Sequence, residues 1–382
     1  MLHHAGFRHG DLHLGNLYAH RKQVIILDLQ RTRLARGRRE QLRDLAQLDF
    51  SIARHGFEIE SRERLRRALG SPSDLDSASR RFIRDFLRGR TRRELRLGQN
   101  WDAIGIDYSG ERLNTARHAD SKVARVFKGL VVRNVDRTRL EEALHNAIRD
   151  PKVDDRRNGL TRISVHGEEP HAFIVKRTTL SSRYDAAANR LRRSSAMRSF
   201  QIGQRLGLLG SLGARTFAAL DEYHDGRLSA NWLVLEKVGR MDLDQYRPTS
   251  ETEASECILS LARWMAEWHA WGIDHLDLKA GNIRMDDRNG VYRFWLIDLG
   301  DIRFRRKLRD SSRIRALVQL NASLSDEAFS LVARRAALDK YLERLPFSGT
   351  RTQDLITSIV EDSLNRNHHW KGLGCPGEVV SR

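Results

Sequence analysis

The sequence predicts an α+β protein in which a small antiparallel sheet is followed by a mainly helical lobe, with a partial copy of the helical lobe ahead of both. One octapeptide pattern occurs twice, at 9–16 and at 275–282, each time followed by a short apolar strand ending in Asp and then by a helix. Only the second occurrence is preceded by strand-like segments. A duplicated module with an incomplete first copy is the economical explanation of this order.

The two copies share an unusual set of residues in the same order. HGDLHLGN begins at His9, and HLDLKAGN begins at His275. The strands that follow, VIILDL and FWLIDL, contain Asp28 and Asp298, and the helices RDLAQLDFS and RALVQLNAS come next. Chance hardly supplies octapeptide, strand and helix together twice, so the two segments are expected to fold alike.

The segments before the second copy read as a sheet with one helix. VARVFKGLVVRN and RISVHGEEPHAFIVKRTT are rich in alternating and β-branched residues, and HGEEP forms a polar turn between two runs, which is typical of antiparallel strands. A helical stretch from Tyr184 to Leu206 and the strand NWLVLEKV follow. The helix before the second octapeptide carries Trp264, Trp268 and Trp271 at spacings of three and four, which favours core packing over base stacking.

These patterns predict a division of the chain into four parts. Residues 1–92 are expected to form the fragment of a helical lobe, and 93–119 a connector. Residues 120–238 are expected to form the sheet lobe of a complete module, and 239–382 its helical lobe.

Composition limits the setting of the protein. Of its 382 residues, two are cysteines, Cys257 and Cys375, which predicts a reducing, cytoplasmic location and argues against zinc. The formal charge of +18 favours attraction to polyanions such as an anionic membrane leaflet or a phosphorylated substrate. No nucleic-acid-binding signature accompanies the charge, so nucleic acid is not expected as a partner.

The second octapeptide carries the parts that phosphoryl transfer requires. Transfer needs an in-line hydroxyl and γ-phosphate with Mg²⁺ and Lys to neutralise charge. Asp277 is predicted to accept the proton of the acceptor hydroxyl, and Asn282 and Asp298 are predicted to hold Mg²⁺. Lys279 adds a positive charge inside the loop, and Lys176, at the end of the strand FIVK, is predicted to grip the α- and β-phosphates of ATP.

The motifs HGDLHLGN with VIILDLQRTR, and HLDLKAGN with FWLIDLGDIR, resemble the lipopolysaccharide kinase (Kdo/WaaP) family of the protein-kinase-like fold. The resemblance implies a two-lobed kinase that uses ATP and Mg²⁺ to phosphorylate Kdo or heptose in the lipopolysaccharide inner core. It also implies an anionic glycolipid acceptor, the lipid A core, and peripheral contact with the cytoplasmic face of the inner membrane. By the same resemblance, Asp11 matches the catalytic base, and Asn16 and Asp28 match the metal positions, in the first copy.

Three departures from the family pattern keep alternatives open. No ATP-binding lobe precedes the first copy in this sequence, Ser199 stands where a helix usually offers Glu to the lysine, and Ala316 replaces the helix carboxylate that Asp44 supplies in the first copy. A pseudokinase or scaffold is therefore the first alternative. The second is a kinase for another hydroxyl, in a small molecule or a protein, because HGDLHLGN also resembles aminoglycoside and choline phosphotransferases.

Overall fold

The computed structural model describes residues 2–21, 23–55, 67, 72–97, 101–108, 125–149, 154–156, 161–167, 172–180, 194–210, 212–224, 226–288, 290–347 and 352–364. The helices among them are α1 Arg38–Arg54, α2 Pro72–Leu97, α3 Arg137–Arg149, α4 Ser195–Leu208, α5 Glu251–Ala270, α6 Asp310–Ser323, α7 Leu331–Arg344 and α8 Thr352–Leu364. The strands are β1 Phe7–Arg8, β2 Leu17–His20, β3 Gln23–Ile26, β4 Arg33–Leu34, β5 Trp101–Tyr108, β6 Arg125–Val132, β7 Asp154–Arg156, β8 Thr161–His166, β9 Phe173–Thr179, β10 Thr216–His224, β11 Arg227–Glu236, β12 Met241–Asp242, β13 Ile273–His275, β14 Ile283–Arg288, β15 Val291–Leu296 and β16 Ile302–Phe304.

The sheet lobe is one seven-stranded antiparallel sheet in the order β5-β6-β10-β11-β9-β8-β7. The antiparallel pair predicted around the HGEEP turn is present as β8 and β9, with His166 opposite Phe173. Most of that turn lies outside the described residues, as does the start of the helical stretch predicted from Tyr184. The sheet carries Lys176 on β9, next to the central strand β11.

The predicted connector at 93–119 needs a correction. Its residues 101–108 form β5, which pairs along its whole length with β6, so the sheet begins ahead of position 120. Helix α2 likewise runs past the predicted boundary at 92. Asp and Gly are depleted in strands, and WDAIGIDY contains two Asp and one Gly. Local composition therefore hides a strand that pairing with β6 stabilises.

Helix α4 lies between the sheet and the helical lobe. It begins after Ser194, whose hydroxyl accepts a hydrogen bond from the Met197 amide at 3.2 Å and so caps the first turn. Phe200 is fully buried on the face toward the sheet, in a cluster with Ala219 and Leu233. The helix is thus held against the sheet by apolar packing.

Helix α5 forms the centre of the helical lobe. Its first turn is capped by Ser250, which accepts a hydrogen bond from the Glu253 amide at 3.2 Å. Trp268 is fully buried, Trp271 is nearly so, and Trp264 packs against Trp268 with ring centroids 5.7 Å apart. The prediction that these tryptophans form the core is confirmed.

The first segment, residues 2–97, joins the same hydrophobic core as the helical lobe. Phe50 of α1 and Ile83 of α2 are buried in one cluster with Leu206 of α4. Gly210 lies so close to the first segment that a Cβ there would sit 2.9 Å from the Arg54 Cα, and its φ of +84° also favours glycine. On the other side, Arg344 of α7 pairs with both oxygens of Asp76 on α2.

We expect the change Phe50→Ala to lower the free energy of unfolding by about 3 to 5 kcal/mol, because it removes a buried aromatic ring and leaves a cavity. Phe50 is 4% exposed and packs on Phe82 and Phe86 with ring centroids 5.7 and 5.0 Å apart. Urea denaturation followed by tryptophan fluorescence measures the change, since α5 carries two tryptophans and a third follows it directly.

Leu34→Ala is the matched control, because Leu34 is 68% exposed and its truncation should change the free energy of unfolding little. An unchanged tryptophan transition in Phe50→Ala would contradict a shared core, since it would mean that the first segment unfolds by itself.

In the described part of the chain, none of the helices combines the length and the apolar character that crossing a membrane requires.

Candidate functional site

The loop after β13 folds back on itself through Asn282. The 3₁₀ turn Ala280–Asn282 ends the loop, and the Asn282 side-chain amide donates to the Asp277 carbonyl at 2.7 Å and to its carboxylate at 3.1 Å. The spacing of five residues therefore closes the loop into a ring. Because the amide nitrogen of Asn282 is used inside the ring, its amide oxygen is the atom suited to bind a cation.

The next acidic residue is presented by a strained backbone. Strands β14 and β15 form a hairpin, and the Ile297 amide donates to the Asn282 carbonyl at 3.0 Å. Asp298 follows in the left-handed conformation, with φ 54° and ψ 53°, and begins the 3₁₀ turn Leu299–Asp301. Such a conformation costs about 1 kcal/mol or more in a residue other than glycine, and it aims the carboxylate away from the strand direction.

Two lysines contact the acidic residues. The Lys176 ammonium lies 3.0 Å from an Asp298 carboxylate oxygen, across the boundary between the lobes. The Lys279 ammonium lies 3.1 Å from an Asp277 carboxylate oxygen. The side chains of Asp298 and Lys176 are 18% and 29% exposed, so this pair is partly shielded from water and its attraction is stronger than at an open surface. The structure thus brings Lys176, Lys279, Asp277, Asn282 and Asp298 together.

A third carboxylate belongs to the group, and the sequence predictions missed it. Oxygen atoms of Asp277, Asp298 and Asp301 all lie within 4.8 Å of one another. The sequence does contain a sign of this third acid, because in the segment DLGD a second aspartate stands three positions after Asp298. A strand-ending Asp is easily recognised, but the 3₁₀ turn that swings Asp301 back toward Asp277 is a feature of the folded chain.

His275 supports the loop as a neutral imidazole. Burial lowers the pKa of His275, against smaller raising effects of its bond to Ile297 and of nearby aspartates. One ring nitrogen, Nε2, donates to the Ile297 carbonyl at 3.0 Å, and the other accepts the Asp277 amide at 3.3 Å. The histidine therefore fixes the distance between the loop and the hairpin and is not a metal ligand.

Helix α6 holds the loop from behind. The Gln319 side chain accepts the Leu278 amide at 3.1 Å and donates to the Leu276 carbonyl at 3.0 Å. The Ser323 hydroxyl accepts the Ala280 amide at 2.7 Å. The loop backbone is thus anchored at three points by side chains of one helix.

The absence of a carboxylate at Ala316 is compensated by the backbone. In the first segment, Asp44 accepts the amides of His9 and Gly10. In the second segment, the amide of Leu276 donates to the Asp301 carbonyl at 2.9 Å, and Ala316 is fully buried. The brace that the Asp44 carboxylate provides in the first loop is therefore supplied in the second by the main chain.

Ser199 does not take part in the lysine contact. It lies buried on α4, and its hydroxyl is 3.3 Å from the place that a Cβ on Gly300 would occupy. Helix α4 thus packs closely on the 3₁₀ turn after Asp298. Among the described residues of α4 there is no acid, and Lys176 is oriented by Asp298 itself.

The first segment repeats the same backbone pattern. The Asn16 amide donates to the Asp11 carbonyl at 2.9 Å, and Asp28 has the left-handed conformation with φ 55° and ψ 62°. His9 again bridges, through a contact of 2.9 Å between Nε2 and the Leu27 carbonyl. The similarity of the two loops in sequence is matched by a similarity in hydrogen bonding.

Asp11, however, has different neighbours from Asp277. Its carboxylate accepts a hydrogen bond from the Gln47 side chain at 2.6 Å and lies 3.4 Å from the Arg31 guanidinium. Asp28 is exposed, and within the described residues the metal-compatible group of acids is found in the second segment. The structure therefore brings Asp11 and Asn16 together, but among the residues it describes they lack the group of charges seen around Asp277.

Comparison with known proteins gives one family and several distant structures. The profile of the lipopolysaccharide kinase (Kdo/WaaP) family matches residues 1–68 and 147–341. A search of curated proteins gives no match.

Three solved structures are similar at low identity. WaaP in complex with acyl carrier protein aligns at 18% identity and a TM-score of 0.43, over 59% of this chain and 92% of that chain. Aminoglycoside-3'-phosphotransferase of type VIII aligns at 16% identity and a TM-score of 0.37, over 59% and 98%. The PknI kinase domain of Mycobacterium tuberculosis, as a double mutant, aligns at 15% identity and a TM-score of 0.32, over 53% and 91%.

Proposed function

The chain belongs to the lipopolysaccharide kinase (Kdo/WaaP) family and is a phosphotransferase of the protein-kinase-like fold, and we propose that it transfers phosphate from ATP to a Kdo or heptose hydroxyl of the lipopolysaccharide inner core. One observation carries the proposal for this chain. Asp277, Asn282 and Asp298 meet in one place beneath the strand that carries Lys176. These are the charges and donors that phosphoryl transfer uses.

The residues fit Mg²⁺ by their chemistry. Carboxylate and amide oxygens are the hard donors that Mg²⁺ prefers, and Asn282 and Asp298 offer them beside the Asp277 carboxylate. When bound, the ion neutralises the charge of the phosphates. The left-handed backbone at Asp298 keeps its carboxylate at the site before any ligand arrives, which lowers the cost of binding.

Asp277 is proposed as the catalytic base. Its carboxylate is partly exposed, at 37%, so an acceptor hydroxyl can approach it. The hydrogen bond from Asn282 at 3.1 Å and the contact with Lys279 at 3.1 Å orient that carboxylate. The neutral His275 behind the loop adds no competing positive charge, since burial lowers its pKa.

The two lysines are proposed to contact phosphate. Lys176 lies on the sheet lobe and reaches across to Asp298, so it can grip the α- and β-phosphates of ATP at the lobe boundary. Lys279 lies in the loop beside Asp277, where it can neutralise the transferred γ-phosphate. Because Ser199 offers Lys176 no negative charge, the ion pair with Asp298 is what orients this lysine.

We assign transfer to Asp277 and not to Asp11. The Asp11 carboxylate is already held by Gln47 and Arg31. The first segment is instead proposed to support the helical lobe, since Phe50 and Ile83 lie in the core of that lobe. The formal charge of +18 supports peripheral contact with the anionic cytoplasmic leaflet, where the glycolipid acceptor would be met.

The test is an assay with purified full-length protein, radiolabelled ATP and Mg²⁺. Kdo-lipid A and a heptosylated core are offered separately, and label is expected in one of them and not in samples with EDTA. Label in neither acceptor would contradict the proposal. Label in an aminoglycoside or in a protein would keep the kinase chemistry and replace the acceptor.

A scaffold without catalysis is the second candidate, and Ser199 at the Glu position is the observation that favours it. A thermal-shift measurement with Mg-ATP separates the two, because a ligand that binds only the native state raises the melting temperature by mass action. A scaffold with degenerate parts should show no shift.

A further inference from the structure

Asp301 is negatively charged, whereas the residue at the equivalent position of the first segment, Arg31, is positively charged. Arg31 and Asp301 each lie three residues after the left-handed aspartate, at the end of equivalent 3₁₀ turns. The Arg31 guanidinium faces the Asp11 carboxylate at 3.4 Å, so the first loop places a positive charge at this position. At the same place the second loop offers a third carboxylate, within 4.8 Å of Asp277 and Asp298.

The charges of the second loop are not balanced by its lysines. Lys176 pairs with Asp298, and Lys279 pairs with Asp277. Within the described ranges of the chain, the Asp301 carboxylate has no ion-pair partner among Lys, Arg and His. Two lysines therefore offset two of the three carboxylates, and the negative charge of the third is one that a divalent cation bound beside it can balance.

The backbone fixes Asp301 in this position. Its amide donates to the Asp298 carbonyl at 3.2 Å, and its carbonyl accepts the Leu276 amide at 2.9 Å. Asp301 is thus bonded to both loops of the site. The oxygens around a divalent ion with bonds of about 2.1 Å lie about 3 Å apart when adjacent and about 4 Å apart when opposite. The three carboxylates offer oxygens that all lie within 4.8 Å of one another, so small side-chain rotations can bring them to that spacing.

We propose that Asp301 is a third metal ligand beside Asn282 and Asp298, which gives this site a higher affinity for divalent cations than Asn282 and Asp298 alone would give. The inference rests on the proposed function, because it deepens the metal site of that reaction. It also explains the contrast between the two loops: Arg31 places a positive charge beside Asp11 in the first, whereas Asp301 offers a ligand to a metal ion in the second.

The test measures the metal alone, without nucleotide or acceptor. In the full-length protein, Mn²⁺ affinity is measured by isothermal titration, and melting temperature is measured with and without Mg²⁺. Asp301→Asn is expected to weaken Mn²⁺ binding by at least about tenfold, since affinity follows the number of charged ligands. The same change should raise the melting temperature of the metal-free protein, because it removes one repelling charge.

Two further variants keep the test decisive. Asp301→Arg copies Arg31, and its stability is expected to be independent of Mg²⁺; Asp301→Glu keeps a carboxylate and should retain part of the affinity. Asp339→Asn is the control, since Asp339 is an acid on α7 with a side chain 51% exposed, and it should behave as wild type. A merely structural Asp301 would lower the metal-free melting temperature on substitution and leave the affinity unchanged.

The proposal is overturned if Asp301→Asn binds Mn²⁺ as wild type does, or if wild type shows no saturable Mn²⁺ binding. A failed kinase assay together with the expected Mn²⁺ result would reject the proposed function alone. Loss of metal binding in Asp298→Asn but not in Asp301→Asn would keep the metal site and exclude Asp301 from it.

Discussion

Asp298→Asn should abolish the stabilisation of the protein by Mg-ATP and reduce phosphoryl transfer by about a hundredfold to a thousandfold or more. Asparagine is the informative substitution, because Asn tolerates the left-handed conformation that Asp298 adopts. The change therefore removes a charge and keeps the shape of the backbone. Lys176 loses its ion-pair partner at the same time, so the site becomes more positive but cannot hold Mg²⁺.

The measurement is a thermal-shift titration with Mg-ATP, followed by single-turnover transfer. For wild type, a concentration of about 100 times Kd should add roughly 2.7 kcal/mol of stability. Asp298→Ala adds backbone strain to the loss of charge, so its melting temperature without ligand should lie below that of Asp298→Asn. A full Mg-ATP shift in Asp298→Asn would exclude Asp298 as a metal ligand.

Asp277→Asn should separate catalysis from the binding of Mg-ATP. We expect kcat to fall by about a hundredfold to ten-thousandfold, the usual contribution of a positioned base, while the Mg-ATP shift stays near that of wild type. Asn282 still donates to the Asp277 carbonyl, so the loop should keep its ring. A parallel loss of kcat and Mg-ATP binding would mean that Asp277 serves the metal and not the acceptor.

Asp11→Asn is the matched control for this experiment, because Asp11 lies at the equivalent place in the first loop. It should leave kcat unchanged if transfer takes place at Asp277. A loss of activity in Asp11→Asn equal to that in Asp277→Asn would contradict the assignment of the reaction to the second segment.

Both predictions depend on how the lobes meet. Lys176 and Asp298 are separated by 122 positions in the sequence and by 3.0 Å in the structure. Helix α4 packs on the turn after Asp298 and on the sheet that carries Lys176. Leu206 of the same helix lies in one hydrophobic cluster with Phe50 of α1 and Ile83 of α2. The first segment therefore packs on the same helix that contacts the site.

Residues close in sequence made the local chemistry predictable. The ring from Asp277 to Asn282 spans five positions, and its hydrogen bonds form within the loop, so a motif in the sequence predicts them. The same holds for Asp11 and Asn16 in the first segment. The strands β8 and β9 and the buried tryptophans were predicted for a similar reason, since alternation and helical spacing report which face of an element is buried.

Other features depended on contacts between distant residues. The strand β5 contains Asp and Gly, and it is stable because β6 pairs with it, which its own composition does not reveal. Ala316 by itself predicts an unbraced loop, but in the folded chain the Leu276 amide donates a hydrogen bond to the Asp301 carbonyl and braces it. The role of Asp301 could not be predicted, because two acids three positions apart share a site only when a turn brings their carboxylates together.

The sequence by itself determined the family, the order of the site residues and the two similar loops, because each is a pattern of neighbouring residues with a local physical cause. Only the tertiary structure decided which of the two loops is surrounded by charges suited to a metal and phosphates. Electrostatic energy depends on distances through space: Arg31 faces Asp11 in one loop, and Lys176 and Asp301 converge with Asp298 in the other.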